Sequence, residues 1–185
     1  STVNLNALST ITYNKKSWSN TREVHLNGEA YFKVAKGSKF EVITDAGIIS
    51  VLGTEFNVKQ RDNYFEVTCY EGLVGVTSNN ESIKLTPGLR FAIIDGEIFT
   101  NEKESQLLPS WMTQESYFES RPLKFVINEL ERQYDIKVKT NNINLETIFS
   151  GSFTHTDLEL ALKSITLPLS LSFTKTKSEI IITGE

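Results

Sequence analysis

The sequence predicts two domains of different class. An all-β domain over residues 1–100, built as a sandwich or a solenoid-like stack of short strands, precedes a small α+β domain over residues 113–185, with a linker at 101–112. Three observations lead there. Apolar residues recur at every second position up to about Phe99, the period of a strand with one buried face. Turn residues break those runs at short intervals, as in sandwiches and stacked strands. After Pro122 the apolar period lengthens to that of a helix.

Val3, Leu5 and Ala7 open the alternation, and Ile11 and Tyr13 continue it. The longest run follows: Val24, Leu26, Ala30, Phe32 and Val34 hold even positions, while Glu23, His25, Asn27, Glu29 and Lys33 hold odd ones. Gly28 interrupts it, where a missing side chain marks a bend, a bulge or the close approach of another backbone. Shorter strands are predicted at Phe40–Thr44, Ile48–Leu52, Phe56–Val58, Phe65–Cys69, Leu73–Val76, Ile83–Leu85 and Leu89–Ile94. Asp45-Ala46-Gly47, Asp62-Asn63, Glu71-Gly72, Ser78-Asn79-Asn80, Pro87-Gly88 and Asp95-Gly96 supply the turns. Pro87-Gly88 suits a type II turn, and Asp95-Gly96 before Ile98 suits a two-residue hairpin. Asn101–Ser110 is polar, aperiodic and closed by Pro-Ser, so it reads as linker.

In the second domain Leu123, Ile127, Leu130 and Tyr134 recur at helical spacing, with Val126 beside them. Ser120 fits the N-cap and Pro122 the first turn. Strands at Asp135–Thr140 and Thr147–Thr154 follow. Thr156-Asp157-Leu158-Glu159 has the capping-box pattern, with Thr156 as the cap and Glu159 reaching back. It opens a helix bearing Leu158, Ala161, Leu162 and Ile165 on one face, stopped at Leu167-Pro168. Leu169–Thr174 and Glu179–Thr183 close a hairpin across Lys175-Thr176-Lys177-Ser178. The order is α-β-β-α-β-β, two helices on one sheet.

Composition narrows the function. The net charge is −4, no Lys/Arg run exceeds Lys15-Lys16, and each side of Ser110 carries −2 (11 basic and 13 acidic residues before it, 8 and 10 from it on). A nucleic-acid footprint needs a basic stripe that this chain lacks. Cys69 is the single cysteine, in phase with Phe65 and Val67, and reads as a small buried hydrophobe. His25 and His155 have no second ligand at metal spacing, and no nucleophile elbow or phosphate loop is present. Glu29, Glu55 and Glu71 lie near glycines at strand ends, where turn or ladder hydrogen bonding outweighs a catalytic carboxylate pair. We expect no enzymatic activity, no metal and no cofactor. Asn80-Glu81-Ser82 matches a glycosylation acceptor, a three-residue pattern too common to carry weight.

Arg22–Val34 reads R-E-V-x-L-x-G-E-A-Y-F-x-V, and Val51–Val58 reads V-L-G-T-x-F-N-V. Both resemble the periplasmic domain of FecR-type anti-sigma factors, in the form that accompanies TonB-dependent transporters in Bacteroidetes-like bacteria. F-x-S-x-P-L at Phe118–Leu123, L-E-x-Q-Y at Leu130–Tyr134 and S-G-S-F at Ser150–Phe153 are similar to the C-terminal domain of that family, itself like the short secretin/TonB signalling module. Cys69 before Tyr70-Glu71-Gly72 departs from the family's usual aliphatic residue.

The resemblance implies the periplasmic sensor of an anti-sigma factor, tethered to the inner membrane. Its partner would be the signalling domain of a TonB-dependent outer-membrane transporter, whose loading state passes to an extracytoplasmic-function sigma factor. The chain opens mid-pattern, as an excised fragment would, and the resemblance implies a membrane span and a sigma-binding cytoplasmic segment upstream. The expected contact surface is the C-terminal hairpin (Leu171, Phe173, Ile180, Ile181, Ile182) and an exposed helix face (Lys124, Glu131, Arg132). If the last strand lies at a sheet edge, it offers a template for a partner strand, and charge or proline at Ile181 would abolish binding; the other arrangement is a central or covered strand. Trp18 and Trp111 read as lids over core ends or as partner anchors, with Trp111 also placed to clamp the two domains. The alternative function is a carbohydrate-binding or adhesin-like module, which needs an exposed row of Tyr31, Tyr64 and Tyr70.

Overall fold

The computed structural model describes residues 1–79, 81–176 and 179–184. Expectations at Asn80, Lys177 and Ser178, including the end of one turn, the glycosylation pattern and part of the last hairpin loop, lie outside the described residues. The described residues are mostly β, with two α-helices among them, and the chain divides into two compact units, Ser1–Pro109 and Ser110–Glu185.

Unit one holds β1 (Thr2–Leu5), β2 (Thr10–Tyr13), β3 (Arg22–Lys33), β4 (Phe40–Ile43), β5 (Ile48–Val51) and β6 (Glu55–Arg61). It continues with β7 (Tyr64–Glu71), β8 (Val74–Ser78), β9 (Glu81–Leu85), β10 (Leu89–Ile94) and β11 (Glu97–Lys103). All eleven join one sheet in the order β11-β10-β7-β6-β3-β4-β5-β8-β9, with β1 and β2 also on β3.

β3 is the hinge of this sheet. Its first half pairs with β2 and, in parallel, with β4, whereas its second half pairs with β1 and β6. The change of partners falls at Gly28, whose φ is +112° and whose missing Cβ would stand 2.8 Å from the Ser9 Cα. Ser9 Oγ accepts the Glu29 amide at 3.0 Å, so the sheet turns its corner around a contact that no side chain at 28 would permit. The fold-over brings the two halves face to face in a nearly closed barrel.

The even positions of β3 face one core, meeting Phe56 and Val58 on β6, Val67 on β7, Phe40 and Val42 on β4 and Ile49 on β5. Phe32 stacks on Phe56 at 5.0 Å and Phe91 meets Phe65 edge-on at 6.2 Å. Burying each such ring contributes on the order of 2–3 kcal/mol. Trp18 packs on this core, edge-on to Phe40 at 6.2 Å, as a lid does. Cys69 is fully buried, and burial pushes its thiol up to about 11. The hydrophobic pattern missed the end of β11, because its last residues are polar. Arg90 on β10 holds Glu102 at 2.8 Å, so the sheet runs to Lys103 and the predicted linker begins too early at 101.

Unit two holds β12 (Glu115–Pro122), α1 (Leu123–Tyr134), β13 (Val138–Asn141), β14 (Ile148–Thr154), α2 (Leu158–Thr166), β15 (Ser172–Lys175) and β16 (Ile180–Thr183). β12 pairs antiparallel with β14, and β13-β16-β15 form a second, three-stranded sheet. The expected single sheet is therefore two, and β12 precedes the predicted α-β-β-α-β-β. β12 was missed because Ser116 and Phe118 alternate inward with a single large apolar residue between them.

Both predicted caps are corrected. Ser120 is not the α1 N-cap; it sits at φ +50° where β12 slips register, and Pro122 takes the cap position without a side-chain bond. The loop before β14 caps α1 instead: Leu123 N–H donates to Thr147 O at 2.9 Å and Lys124 N–H to Leu145 O at 3.0 Å. On α2 the cap is Asp157, whose carboxylate accepts Leu160 N–H at 3.0 Å. Thr156 Oγ1 bonds Thr154 Oγ1, and Glu159 turns forward to Lys163 at 2.7 Å. Leu123, Val126, Ile127 and Leu130 of α1 and Ala161, Leu162 and Ile165 of α2 close on Phe118, Phe149, Phe153, Ile180 and Ile182.

Candidate partner-binding surface

Within unit two, β16 is the middle strand, parallel to β13 and antiparallel to β15. Its backbone groups are engaged on both sides, so the edge-strand version of the expectation does not hold. Ile180 and Ile182 face inward at 4% and 0% exposure, and Ile181 is half-buried on the opposite face. Leu171 and Phe173 pack at the margin of the same core. Among the described residues the edges of the sheet are β13 and β15, each paired only with β16.

The α1 residues expected on an exposed face are half-buried and tied into local pairs. Lys124 Nζ lies 2.9 Å from Glu146 Oε1 and over the Phe125 ring at 5.1 Å. Glu131 is a brace: its carboxylate accepts Val138 N–H at 2.7 Å and faces Lys137 Nζ at 3.4 Å, fixing the end of α1 to β13. Arg132 reaches back one turn to Glu129 at 2.9 Å, and Gln133 donates to the same carboxylate at 2.7 Å. Glu129 is 2% exposed, so this carboxylate needs such partners.

A surface that the sequence reading missed is the outer side of α2. Leu160 and Leu167 are 53% and 70% exposed, with Lys163 between them. The signal was present: Leu160 lies off the apolar face defined by Ala161, Leu162 and Ile165, where amphipathic patterning calls for a polar residue.

Near α2, His155 shares a hydrogen bond of 2.9 Å with Ser116 Oγ and meets the Phe153 ring at 5.9 Å. Burial lowers its pKa against the opposing pull of Glu129 and Glu115. Among the described residues no group of His, Cys, Asp and Glu could hold a metal ion, and no helix is long and apolar enough to cross a membrane.

In unit one the tyrosine row needed by the carbohydrate reading is in phase but covered. Tyr31 and Tyr64 are 4% and 6% exposed, and Tyr70 is half-buried against Tyr31 at 6.0 Å. Tyr31 donates to Glu55 at 2.6 Å; burial, then that carboxylate, raises its pKa. Glu29, also covered, accepts from Asn6 and Asn57 at 2.9 Å each, a structural role.

The family model described as "FecR protein" matches residues 1–75, and the one described as "FecR, C-terminal" matches 115–182. No curated protein matched the chain. Two crystal structures from Parabacteroides distasonis ATCC 8503, each described as a "putative anti-sigma factor", are similar over nearly all of it. One, at 1.65 Å, gives a TM-score of 0.88 and 29% identity over 97% of this chain and 88% of that one. The other, at 2.50 Å, gives 0.90 and 28% over 99% and 89%.

Proposed function

We propose, from the premise that the chain belongs to the FecR family of anti-sigma factors, that it is the signal-receiving periplasmic part of such a factor. It binds the signalling domain of a TonB-dependent outer-membrane transporter and passes the transporter's loading state to an extracytoplasmic-function sigma factor. The sigma factor itself is held by a cytoplasmic segment beyond this sequence, across an inner-membrane span.

The observation that carries this reading is the tandem match, FecR protein on one unit and FecR C-terminal on the other, in an order shared with the Parabacteroides structures over nearly their full length. The reading needs a protein–protein surface. We assign it to unit two, where Leu171, Phe173 and Ile181 flank the β15 edge and Lys124 stands at the start of α1. Glu131, Arg132, Ile180 and Ile182 shape that surface from within.

The test is a titration against the signalling domain of the transporter encoded nearest the gene, with unrelated signalling domains and a glycan panel as controls. Saturable binding to the neighbour alone is expected. A glycan hit with no signalling domain bound overturns the proposal.

A further inference from the structure

Unit one carries a feature that transporter binding by unit two does not use. On the solvent side of the folded sheet, register places Glu41, Ser50, Gly75 and Lys84 side by side across β4, β5, β8 and β9. Pairing between β5 and β8 stops at Ser50–Gly75, and the chains part beyond it. The next outward positions on the parting chains are leucines: Leu52, 64% exposed, and Leu73, 48% exposed. Between them opens an apolar-walled groove of about 650 Å³ with Lys36, Lys39 and Lys84 around it and no carboxylate in its lining.

Gly75 sharpens the reading. Of the ten glycines, six have φ values between +80° and +155° with Gly28 a seventh at +112°, and Gly47 and Gly184 have backbone oxygens within 2.7 Å of where a Cβ would stand. Gly75 has neither reason to be glycine: its φ is ordinary, and a Cβ there would meet only the Ser50 carbonyl, at 3.4 Å. A strand-interior glycine lowers strand stability and, without a backbone requirement, marks a place that another chain approaches closely. The fold does not require Gly75, and its bare backbone leaves the floor of the groove open.

Charge selects the occupant. Lys39 is held by Glu41 at 2.7 Å, while Lys36 and Lys84 have no acidic partner among the described residues. The chain as a whole is at −4, so a cation-rimmed apolar groove is a local inversion of its charge. The groove is open along its length, which suits an extended chain better than a small molecule that must be mostly enclosed. We infer that this groove docks an extended, acidic segment of a partner protein. Its backbone passes over Gly75, its apolar side chains lie against Leu52 and Leu73, and its carboxylates meet Lys36 and Lys84.

The test is selection of a displayed library of random twelve-residue peptides on the whole protein, on Gly75→Val and on Lys36→Glu/Lys84→Glu. The valine suits a strand and fills the floor; the double charge reversal leaves packing untouched, so a folding defect in one variant does not cost the experiment. Both are first checked by thermal melting. The expected result is enrichment of peptides that alternate apolar residues with Asp or Glu, at least tenfold weaker binding of those peptides to either folded variant, and weakening by added salt. Enrichment without acidic residues, enrichment unchanged on both variants, no enrichment, or binding of phosphatidylglycerol vesicles lost in the same variants would overturn the proposal. Transporter binding by unit two is scored separately, so either reading can fail alone.

Discussion

The two units reach order by different routes. In unit one each strand is specified by its own alternation, and the partners are nearly all strands of the same kind; Val24 to Val34 shows which face is inward before any neighbour is known. In unit two the helices begin where distant loop atoms let them. The amides of Leu123 and Lys124 are met by Thr147 and Leu145, more than twenty residues along the chain. Period-based reading therefore works well in the first unit and misplaces both caps in the second. Side-chain pattern records burial, whereas capping depends on which oxygen arrives.

The sharpest way to break that contrast is to remove the element each unit turns on. Phe32→Ala should cost unit one about 3–5 kcal/mol, because the ring is fully buried and stacked on Phe56. Leu162→Ala should cost unit two about 2–5 kcal/mol by the same mechanism. Chemical denaturation followed by circular dichroism measures both. A loss below about 1 kcal/mol in either would mean that its core is not the organising element.

Gly28→Val probes the corner in the sheet. The new side chain meets Ser9 backbone and sits at a φ that valine resists, so a loss of about 2–4 kcal/mol is expected. Denaturation followed by the fluorescence of Trp18, which lies on the same core, reports it. An unchanged midpoint would show that the change of strand partners does not depend on this residue.

How much was legible follows from those residues. Ten of the eleven strands of unit one overlap an alternating run, β11 is implied only by the Asp95-Gly96 hairpin before Ile98, and the bend at Gly28 was visible as a glycine inside a run. What stayed hidden depended on partners. The end of β11 needs Arg90, β12 needs β14, and the cover over Tyr31 cannot be read from its phase. The candidate surface was less legible still. Three consecutive isoleucines read equally as an edge or a centre, and only the parallel pairing of β13 placed them at the centre. Leu52 and Leu73 were visible as leucines but not as exposed ones, whereas Leu160 could be read as exposed from its place off the apolar face of α2.

The capping correction makes a finer test of the same contrast. Asp157→Ala should cost about 1 kcal/mol, since it leaves Leu160 N–H without its acceptor. Ser120→Ala and Thr156→Ala should each stay within about 0.5 kcal/mol, because neither side chain caps a helix. Thermal melting of the three variants decides between the sequence pattern and the geometry: a Thr156 loss equal to that of Asp157 would restore the capping box.

The smallest effect belongs to His155, and its sign is fixed by the direction of its shift. Burial lowers the folded pKa below the ordinary 6.5, while Glu129 and Glu115 pull the other way and Ser116 shares the ring-nitrogen bond. The unfolded chain therefore binds the proton first as pH falls. Stability is fully present above the ordinary histidine pKa and declines as pH drops through it toward the lower folded value. Replacing the ring by a neutral amide, His155→Gln, should flatten that decline while leaving stability at neutral pH nearly unchanged. Denaturation midpoints collected from about pH 8 to about pH 5 measure the slope. A wild-type slope that persists in the variant would assign the acid sensitivity to other groups, with Glu129 beside Arg132 the next to examine.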